Sequence, residues 1–323
     1  MAKAIRFLKQ GGPEVLQWEE VAVGDPGPGE VRIRQHAVGL NFVDVYQRSG
    51  MYPMPVPSAI GTEGAGVIEA VGSGVTSLKA GERAAYAGGP LGAYSEVRVM
   101  PAERVLKLPE DISFDTAAAM MLKGLTAQYL LRQIYKVGPG DTILFHAAAG
   151  GVGMIACQWA KSLGASVIGT VGSDDKAALA RAHGCDHSIV YTRENFVERV
   201  KEITGGAGVP VVYDSVGRDT VMQSLECLRR RGILVNFGNA SGPVPPLDLR
   251  QLARGSLSVI RPAMIDFTVT RADLESAARD LFGAVGSGKV KIQINHRYPL
   301  RDAARAHADL AARNTTGSVV LLP

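Results

Sequence analysis

The sequence predicts an α/β protein in which a doubly wound parallel sheet is inserted into a β-rich domain. Three observations favour this class. At 323 residues the chain is longer than one hydrophobic core usually allows, so two domains are expected. Up to about residue 120 the sequence shows short strand-like segments broken by Gly and Pro. From Asp141 onward, apolar segments alternate with glycine turns and helical segments, which is typical of a parallel sheet.

The β-rich part is predicted from short segments with strand-like patterning. They are AIRF, VLQWEEV, VRIRQHAV, GAGVIEAVGS and YSEVRVMP, the last of which ends at Pro101. From Ser113 the composition changes to an Ala- and Leu-rich segment whose apolar residues have helical spacing, and Ser113 is the predicted N-cap of this helix.

The division into domains follows from the order of these patterns. Central strands such as TILF and GILVNF are continuously apolar, as strands buried on both faces should be. The late segments KVKIQINHRYPL and GSVVLLP are too few to form a domain, so we expect them to complete the first one. The predicted domains are therefore residues 1–122 with 262–323, and residues 123–261 between them.

Composition excludes several protein classes. Hydrophobic residues make up 46% and charged residues 20% of the chain, which is the ordinary globular range and argues against disorder. The net charge of +4 is thinly spread, and the densest basic run, Arg229 to Arg231, has no interleaved aromatic residues. We interpret this run as the solvated end of a helix, so a nucleic-acid partner is not expected.

Cysteine usage and hydropathy indicate the compartment. Cys157, Cys185 and Cys227 are far apart and form no CxxC pair, which fits a reducing environment. The chain has no apolar stretch after its first charges and no apolar run of about 18 residues. We therefore expect a cytoplasmic protein that does not span a membrane.

A glycine-rich turn, His146 to Gly153, predicts a dinucleotide site. It follows a buried strand, opens a helix and is followed by a second strand, which is the context that the fingerprint requires. Gly150, Gly151 and Gly153 permit a tight turn and a close approach of backbone N–H groups to a pyrophosphate. The alternative is a turn selected only for packing of the helix against the strand.

The end of the second strand decides between NAD and NADP. NAD sites place an acid about 20 residues beyond the glycines, but residues 170–173 contain none. Ser173 and Lys176 can instead donate to a 2′-phosphate. Asp174 and Asp175 oppose this interpretation, because a carboxylate facing inward would repel that phosphate. We predict NADPH as the cofactor.

Long motifs along the whole chain carry a family resemblance. They are GGPEVLQ, NFVDVYQRSGMYP, GTEGAGVIEAVGSGV, LKGLTAQYLL, FHAAAGGVGMIACQWAKSLGA, VVYDSVGRDT and GSVVLLP. The sequence resembles the zinc-free quinone oxidoreductase (zeta-crystallin-like) branch of the medium-chain dehydrogenase/reductase superfamily. The resemblance implies a GroES-like domain built from both chain ends, a Rossmann domain between them, and a homodimer.

Zinc is not expected, because the ligand positions of the superfamily's zinc enzymes are changed. Those enzymes use an early cysteine and the histidine of a GHE motif, where this sequence has Asn41 and Thr62. The lobe with four closely spaced cysteines is missing, and the six histidines are scattered. Zinc requires three or four nitrogen, sulfur or carboxylate ligands, which these positions do not supply.

The resemblance also implies a set of cofactor-binding residues. Those expected along the nicotinamide and pyrophosphate are Asn41, Phe42, Asp44, Tyr46, Thr126, Tyr129, Gly151 and Val152. Those expected around the adenosine 2′-phosphate are Gly172, Ser173, Lys176 and Tyr191. Val216, Gly238, Asn239, Arg261 and Arg313 are expected to complete the site, Arg313 as an additional cation.

Quinone reduction needs alignment and water exclusion more than it needs a nucleophile. Asn41, Tyr46 and Tyr52 are the predicted catalytic donors to the oxygen that gains charge, although the two tyrosines can equally be packing or stacking residues. Lys123 is predicted to be a structural ion-pair partner. The predicted function is NADPH-dependent reduction of a quinone. The alternatives are reduction of an activated alkene such as an enal or enone, and a non-enzymatic NADPH- or RNA-binding role.

Overall fold

The computed structural model describes all 323 residues, which fold into two compact units. The β-rich unit comprises Met1–Leu125, Thr268–Gly286 and Ile292–Pro323. The parallel-sheet unit comprises Thr126–Phe267 and Ser287–Lys291. The predicted fold class is confirmed, because one unit is built on a parallel doubly wound sheet and the other on mainly antiparallel sheets.

Strands predominate in the first third of the chain, and strands and helices alternate mainly in its second half. The strands are β1 (Ala2–Phe7), β2 (Gln17–Val21), β3 (Glu30–Leu40), β4 (Ser58–Ala59), β5 (Glu63–Val71), β6 (Arg83–Ala87), β7 (Val97–Pro101), β8 (Val105–Lys107), β9 (Thr142–His146), β10 (Ser166–Val171), β11 (His187–Val190), β12 (Val209–Asp214), β13 (Leu228–Asn236), β14 (Ser258–Ile260), β15 (Ile294–Pro299) and β16 (Ser318–Leu322).

The α-helices range from 6 to 16 residues. They are α1 (Phe42–Ser49), α2 (Phe114–Tyr129), α3 (Gly151–Ser162), α4 (Asp174–Ala182), α5 (Phe196–Ile203), α6 (Val221–Glu226), α7 (Arg271–Gly286) and α8 (Ala303–Ala311). The predicted N-cap of α2 is confirmed, because Ser113 Oγ accepts a hydrogen bond from the Thr116 backbone N–H at 3.1 Å. No helix is both long enough and apolar enough to cross a membrane.

The β-rich unit is organised around β3, which has strand partners along its whole length. A seven-stranded sheet runs in the order β15-β16-β3-β5-β6-β8, with β7 also paired to β3. β16 pairs antiparallel to β3, with Val319 opposite Leu40. The expectation that the last strands return to the first part of the chain is therefore confirmed.

The parallel-sheet unit contains six strands in the order β11-β10-β9-β12-β13-β14, and every pair is parallel. Numbered from its own first strand, this is the 3-2-1-4-5-6 order of dinucleotide-binding sheets. The strand order reverses between β9 and β12, and ligands of such sheets bind at the carboxyl ends of the strands beside that switch point. The ends of β9 and β12 are therefore the place to look for a site.

One local expectation was wrong. Arg229 to Arg231 do not end a helix: α6 stops at Glu226, and the three arginines lie exposed in the first half of β13. The register between β12 and β13 shifts just after Val209, and Arg231 has φ of +60°. The charged side chains face solvent at this irregularity, so the apolar pattern of a buried strand begins only after it.

Candidate active site

The glycine turn joins β9 to α3 and leaves the start of that helix open. Gly150 is the N-cap of α3, and no side chain caps the helix. A Cβ added at Gly150 would meet only the Ala147 carbonyl oxygen, at 3.2 Å, whereas one at Gly153 would lie 2.3 Å from that same oxygen. The turn thus needs glycine at position 153 to close and leaves an approachable face at 150. These features fit a pyrophosphate bound by the N–H groups of the first turn, where Gly151 and Val152 lie.

His146, at the start of this turn, is held by two side-chain hydrogen bonds. Sequence analysis did not assign it a role. The ring is fully buried, with Nδ1 2.8 Å from Thr170 Oγ1 and Nε2 2.8 Å from Ser224 Oγ. Ser224 donates its proton to the Thr220 carbonyl oxygen at 2.8 Å, so His146 Nε2–H donates to Ser224 and Nδ1 accepts from Thr170. Burial lowers the pKa of His146, which keeps the ring neutral. The ends of β9 and β10 are therefore held to α6.

Asp214 organises the loop after β12 in the same unit. It is fully buried, and its Oδ1 accepts from the backbone N–H groups of Val216 (2.8 Å) and Gly217 (2.9 Å). Its Oδ2 accepts from Thr220 Oγ1 at 2.7 Å. The predicted site residue Val216 therefore lies in the loop after β12, beside the point where the strand order reverses. Asp214 fixes the backbone of this loop.

Three further predicted residues meet at the end of β13. Arg261 Nη1 donates to the carbonyl oxygens of Asn236 (3.2 Å) and Gly238 (3.1 Å). Asn239, in the orientation that satisfies its amide, donates to the Gly238 carbonyl oxygen and accepts from Arg261 Nη2 at 3.1 Å. The structure thus brings Gly238, Asn239 and Arg261 together and adds Asn236, which sequence analysis missed.

The four residues expected around a 2′-phosphate share one region of the parallel-sheet unit. Ser173 is the N-cap of α4, and its Oγ accepts from the Lys176 backbone N–H at 3.4 Å. The Tyr191 hydroxyl lies 3.3 Å from where a Cβ of Gly172 would stand. The loop after β10 therefore presents a hydroxyl, the start of a helix and a lysine, with a tyrosine beside it.

Thr126 and Tyr129 lie one turn apart on α2 and are buried. The Tyr129 ring stacks on Phe267 with 4.6 Å between centroids. Burial raises the pKa of Tyr129, and a hydrogen bond with the Thr126 side chain opposes that rise. The stacking and the hydrogen bond hold these two buried side chains in place.

In the β-rich unit, Asn41 is held by a buried ion pair. Its Nδ2 donates to Glu63 Oε2 at 2.8 Å, and Lys123 Nζ donates to that same oxygen at 3.2 Å. Glu63 Oε1 accepts from the Leu122 backbone N–H at 2.7 Å, and Glu63 is fully buried. A Cβ at Gly39 would lie 2.1 Å from Glu63 Oε2, so only glycine leaves room for this carboxylate. The predicted ion-pair role of Lys123 is confirmed, and the pair orients the Asn41 amide.

Asp44 begins a second buried network at the start of α1. Its Oδ2 accepts from the Asn41 backbone N–H and from the Tyr94 hydroxyl, both at 2.9 Å. The Tyr94 hydroxyl also lies 3.1 Å from His307 Nε2. Burial raises the pKa of Asp44 to about 7 and lowers the pKa of His307 to about 3. The carboxyl group fixes the backbone of Asn41 from inside the unit.

Phe42, Tyr46 and Tyr52 form an aromatic group on and after α1. The ring centroids of Phe42 and Tyr46 are 6.0 Å apart, and those of Tyr46 and Tyr52 are 5.2 Å apart. The Tyr52 backbone N–H donates to the Tyr46 carbonyl oxygen at 3.0 Å. The two tyrosines named as possible donors are thus neighbours of Asn41 along the chain and of each other in space.

Arg313 follows α8 in the β-rich unit. Its side chain is exposed and its φ is +61°, in the left-handed region. The Arg313 backbone N–H donates to the Leu310 carbonyl oxygen at 3.0 Å. Its role as an additional cation stays a prediction.

No group of three or more His, Cys, Asp or Glu side chains is arranged to hold a metal ion. At the position where the zinc enzymes have their cysteine ligand, the Asn41 amide nitrogen is occupied as a donor to Glu63. An amide nitrogen has no free lone pair for a metal. The chemistry that these residues offer is therefore hydrogen bonding and aromatic contact in one unit and an anion cradle in the other.

Comparison with known proteins identifies the family. Residues 27–110 match the family described as "Alcohol dehydrogenase GroES-like domain", and residues 151–281 match the one described as "Zinc-binding dehydrogenase". The chain is 57% identical to a quinone oxidoreductase of Pseudomonas aeruginosa, with both chains covered in full. It is 48% identical to a 2-haloacrylate reductase of Burkholderia, covering 100% of this chain and 99% of that one.

A solved structure agrees along the whole chain. The crystal structure of Escherichia coli quinone oxidoreductase complexed with NADPH superposes with a TM-score of 0.98 at 52% identity, and both chains are covered in full. These similarities exceed what a shared fold alone would give. The chain belongs to the quinone oxidoreductase branch of the medium-chain dehydrogenase/reductase superfamily.

Proposed function

We propose that this protein is an oxidoreductase that reduces quinones with electrons from NADPH and needs no zinc. The observation that carries the proposal is the open start of α3, an anion cradle in a chain that matches an NADPH-bound quinone oxidoreductase over its full length. Small-molecule quinones are therefore the proposed substrates.

The residues present fit the cofactor. The open face at Gly150 and the uncapped start of α3 suit a pyrophosphate, and Gly151 and Val152 supply N–H groups there. The residues that would hold the 2′-phosphate are Gly172, Ser173, Lys176 and Tyr191. Those that would contact the nicotinamide half are Asn41, Phe42, Tyr46, Thr126 and Tyr129. Asp44, also expected there from the sequence, is fully buried and would act behind them by holding the Asn41 backbone. Val216, Gly238, Asn239, Arg261 and Arg313 would complete the site.

Bound NADPH would supply the electron pair for the reduction, either as hydride or as single electrons. Asn41 would stabilise the oxygen that gains negative charge, because Glu63 holds one of its amide hydrogens and leaves the other to donate. Tyr46 and Tyr52 would stack on a flat acceptor or donate a proton to it. The buried ion pair fixes the amide before the acceptor arrives, so little reorganisation is needed.

Zinc independence is supported by the chemistry of this donor set. Glu63 already accepts hydrogen bonds from Asn41, Lys123 and the Leu122 backbone, and Lys123 places a positive charge where a metal ion would have to stand near it. Two cations at one carboxylate would repel each other. We therefore propose that this chain does not bind zinc at this position, although one matching family is described as a zinc-binding dehydrogenase.

Reduction of an activated alkene is the second candidate. The 48% identical relative is named 2-haloacrylate reductase, so a nearby sequence is linked to an electron-poor double bond. The Asn41 donor would stabilise an enolate oxygen as readily as a phenolate oxygen. Only turnover separates the two.

We also propose the domain boundaries, a homodimeric assembly and a cytoplasmic location. We assign the catalytic domain to residues 1–122 and 262–323 and the NADPH-binding domain to residues 123–261. A homodimer is supported by β14, an edge strand that exposes 39% of Val259, because such an edge can pair with a second copy. We place the protein in the cytoplasm, on the grounds of its buried, unpaired cysteines.

A panel of acceptors tests the function. NADPH oxidation should be fast with 1,4-benzoquinone or 9,10-phenanthrenequinone and slower with an alkenal or a haloacrylate. Lys176→Ala should weaken NADPH much more than NADH. Consumption of the alkene but not of the quinones would favour the second candidate, and binding of NADPH without consumption of any acceptor would refute an enzymatic role.

A further inference from the structure

The loop proposed to hold the 2′-phosphate carries negative charge. Asp174 and Asp175 occupy the first turn of α4, where acids stabilise a helix through its dipole. The same position suits a phosphate poorly, because like charges repel. In NAD-binding proteins, a carboxylate after the second strand instead accepts hydrogen bonds from the ribose hydroxyls. The loop therefore contains a feature that would favour NADH.

The segment after β11 packs along this loop residue by residue. The Tyr191 backbone N–H donates to the Val171 carbonyl oxygen at 3.1 Å. Thr192 Oγ1 donates to the Gly172 carbonyl oxygen at 3.4 Å. Arg193 then reaches Asp174, so three successive residues contact the loop from one side.

Arg193 occupies both oxygens of Asp174. Its Nη1 donates to Oδ2 and its Nη2 donates to Oδ1, which is the bidentate arrangement that makes arginine–carboxylate pairs strong and specific. The pair lowers the pKa of Asp174 and raises that of Arg193, so both groups stay ionised at neutral pH. Since both side chains are more than half exposed, the pair contributes little to folding stability.

We propose that Arg193 determines cofactor specificity by acting through Asp174. The guanidinium neutralises the carboxylate beside the 2′-phosphate loop and occupies one acceptor position on each of its oxygens, which makes it a weaker acceptor for a ribose hydroxyl. An acid that stabilises the start of α4 is thereby made compatible with NADPH. This inference rests on the proposed use of NADPH, and it adds a residue that binds neither the phosphate nor the ribose directly.

Direct binding to the full-length protein tests the inference without turnover. NADPH and NADH are titrated by calorimetry into the wild type, Arg193→Ala, Asp174→Asn and the double variant. Arg250→Ala is the matched control, because it removes the same charge from another exposed arginine–aspartate pair, the one with Asp248. We expect Arg193→Ala to weaken NADPH by about tenfold, the order of effect of one unmasked charge beside a dianion. NADH should bind unchanged or more tightly.

The double variant distinguishes an effect of Arg193 through Asp174 from direct binding of the 2′-phosphate by Arg193. With Asp174→Asn already present, removal of Arg193 should change NADPH affinity by less than about twofold, and the effect in the single variant should shrink with added salt. An equal loss in both backgrounds would show that Arg193 binds the phosphate itself and would overturn the inference. No loss in either would overturn it too. A wild type that binds both cofactors equally would instead refute the NADPH assignment.

Discussion

Replacing Lys123 with methionine should reveal how strongly the site depends on its buried ion pair. Lys123 and Glu63 expose 7% and 0% of their side chains. Removing one partner of such a pair typically costs about 3–5 kcal/mol, because the other charge stays buried. Glu63 would keep its hydrogen bonds from Asn41 and the Leu122 backbone, so we expect the lower end, about 3 kcal/mol.

Thermal and urea unfolding measure this loss. The expected cost corresponds to a fall in Tm of roughly 6–12 °C for a unit of this size. Adding Glu63→Gln should recover most of the loss, since no charge then stays buried.

The control for this prediction is Lys107→Met, which removes a lysine from an ion pair with Glu82 in the same unit. That lysine is 56% exposed, so the substitution should cost less than about 1 kcal/mol. A cost for Lys123→Met as small as for Lys107→Met would refute the argument. So would a double variant no more stable than Lys123→Met alone, because the lysine would then act by packing and not through its charge.

Three further results are expected. Burial raises the pKa of Asp44 from 3.8 to about 7 and lowers that of His307 from 6.5 to about 3. Asp44 thus makes stability fall as pH rises from about 4 to 7, whereas His307 makes it rise from about 3 to 6.5. Urea unfolding across pH should show a rising profile for Asp44→Asn and a falling one for His307→Gln, and parallel profiles would contradict both assignments. In Gly153→Ala the added Cβ would lie 2.3 Å from the Ala147 carbonyl oxygen and would distort the turn. Calorimetry should show that the affinities for NADPH and for NADH both fall by about tenfold or more. Unchanged affinities would mean that the turn does not hold the pyrophosphate. Dialysis against a chelator should leave quinone turnover unchanged, and activity restored only by added zinc would overturn zinc independence.

Local patterns were sufficient to predict the fold. The central strands β9 and β12 of the parallel sheet are buried on both faces, so their apolar runs are visible in the sequence. The glycine turn was identifiable because it stands between a strand and a helix, and its geometry depends on residues within a few positions of Gly150. The exposed half of β13 was misinterpreted, because its side chains face solvent and carry no strand pattern.

The supporting networks could not be predicted, because their partners are distant in the chain. Glu63 and Lys123 are 60 residues apart, and His146 and Ser224 are 78 residues apart. No periodicity reports such a pairing, and a lone buried histidine or acid has many possible partners. The Arg193–Asp174 pair was missed for the same reason, although Asp174 itself was noticed as a charge in need of an explanation.

The reaction of NADPH with a quinone on this protein can be observed directly. The most direct measurement mixes the NADPH-loaded protein with 1,4-benzoquinone under anaerobic, single-turnover conditions and follows the loss of NADPH absorbance. We predict rapid oxidation with one hydroquinone formed per NADPH, and much weaker loading and turnover with NADH. Tight NADPH binding with no oxidation above the rate in free solution would contradict the account.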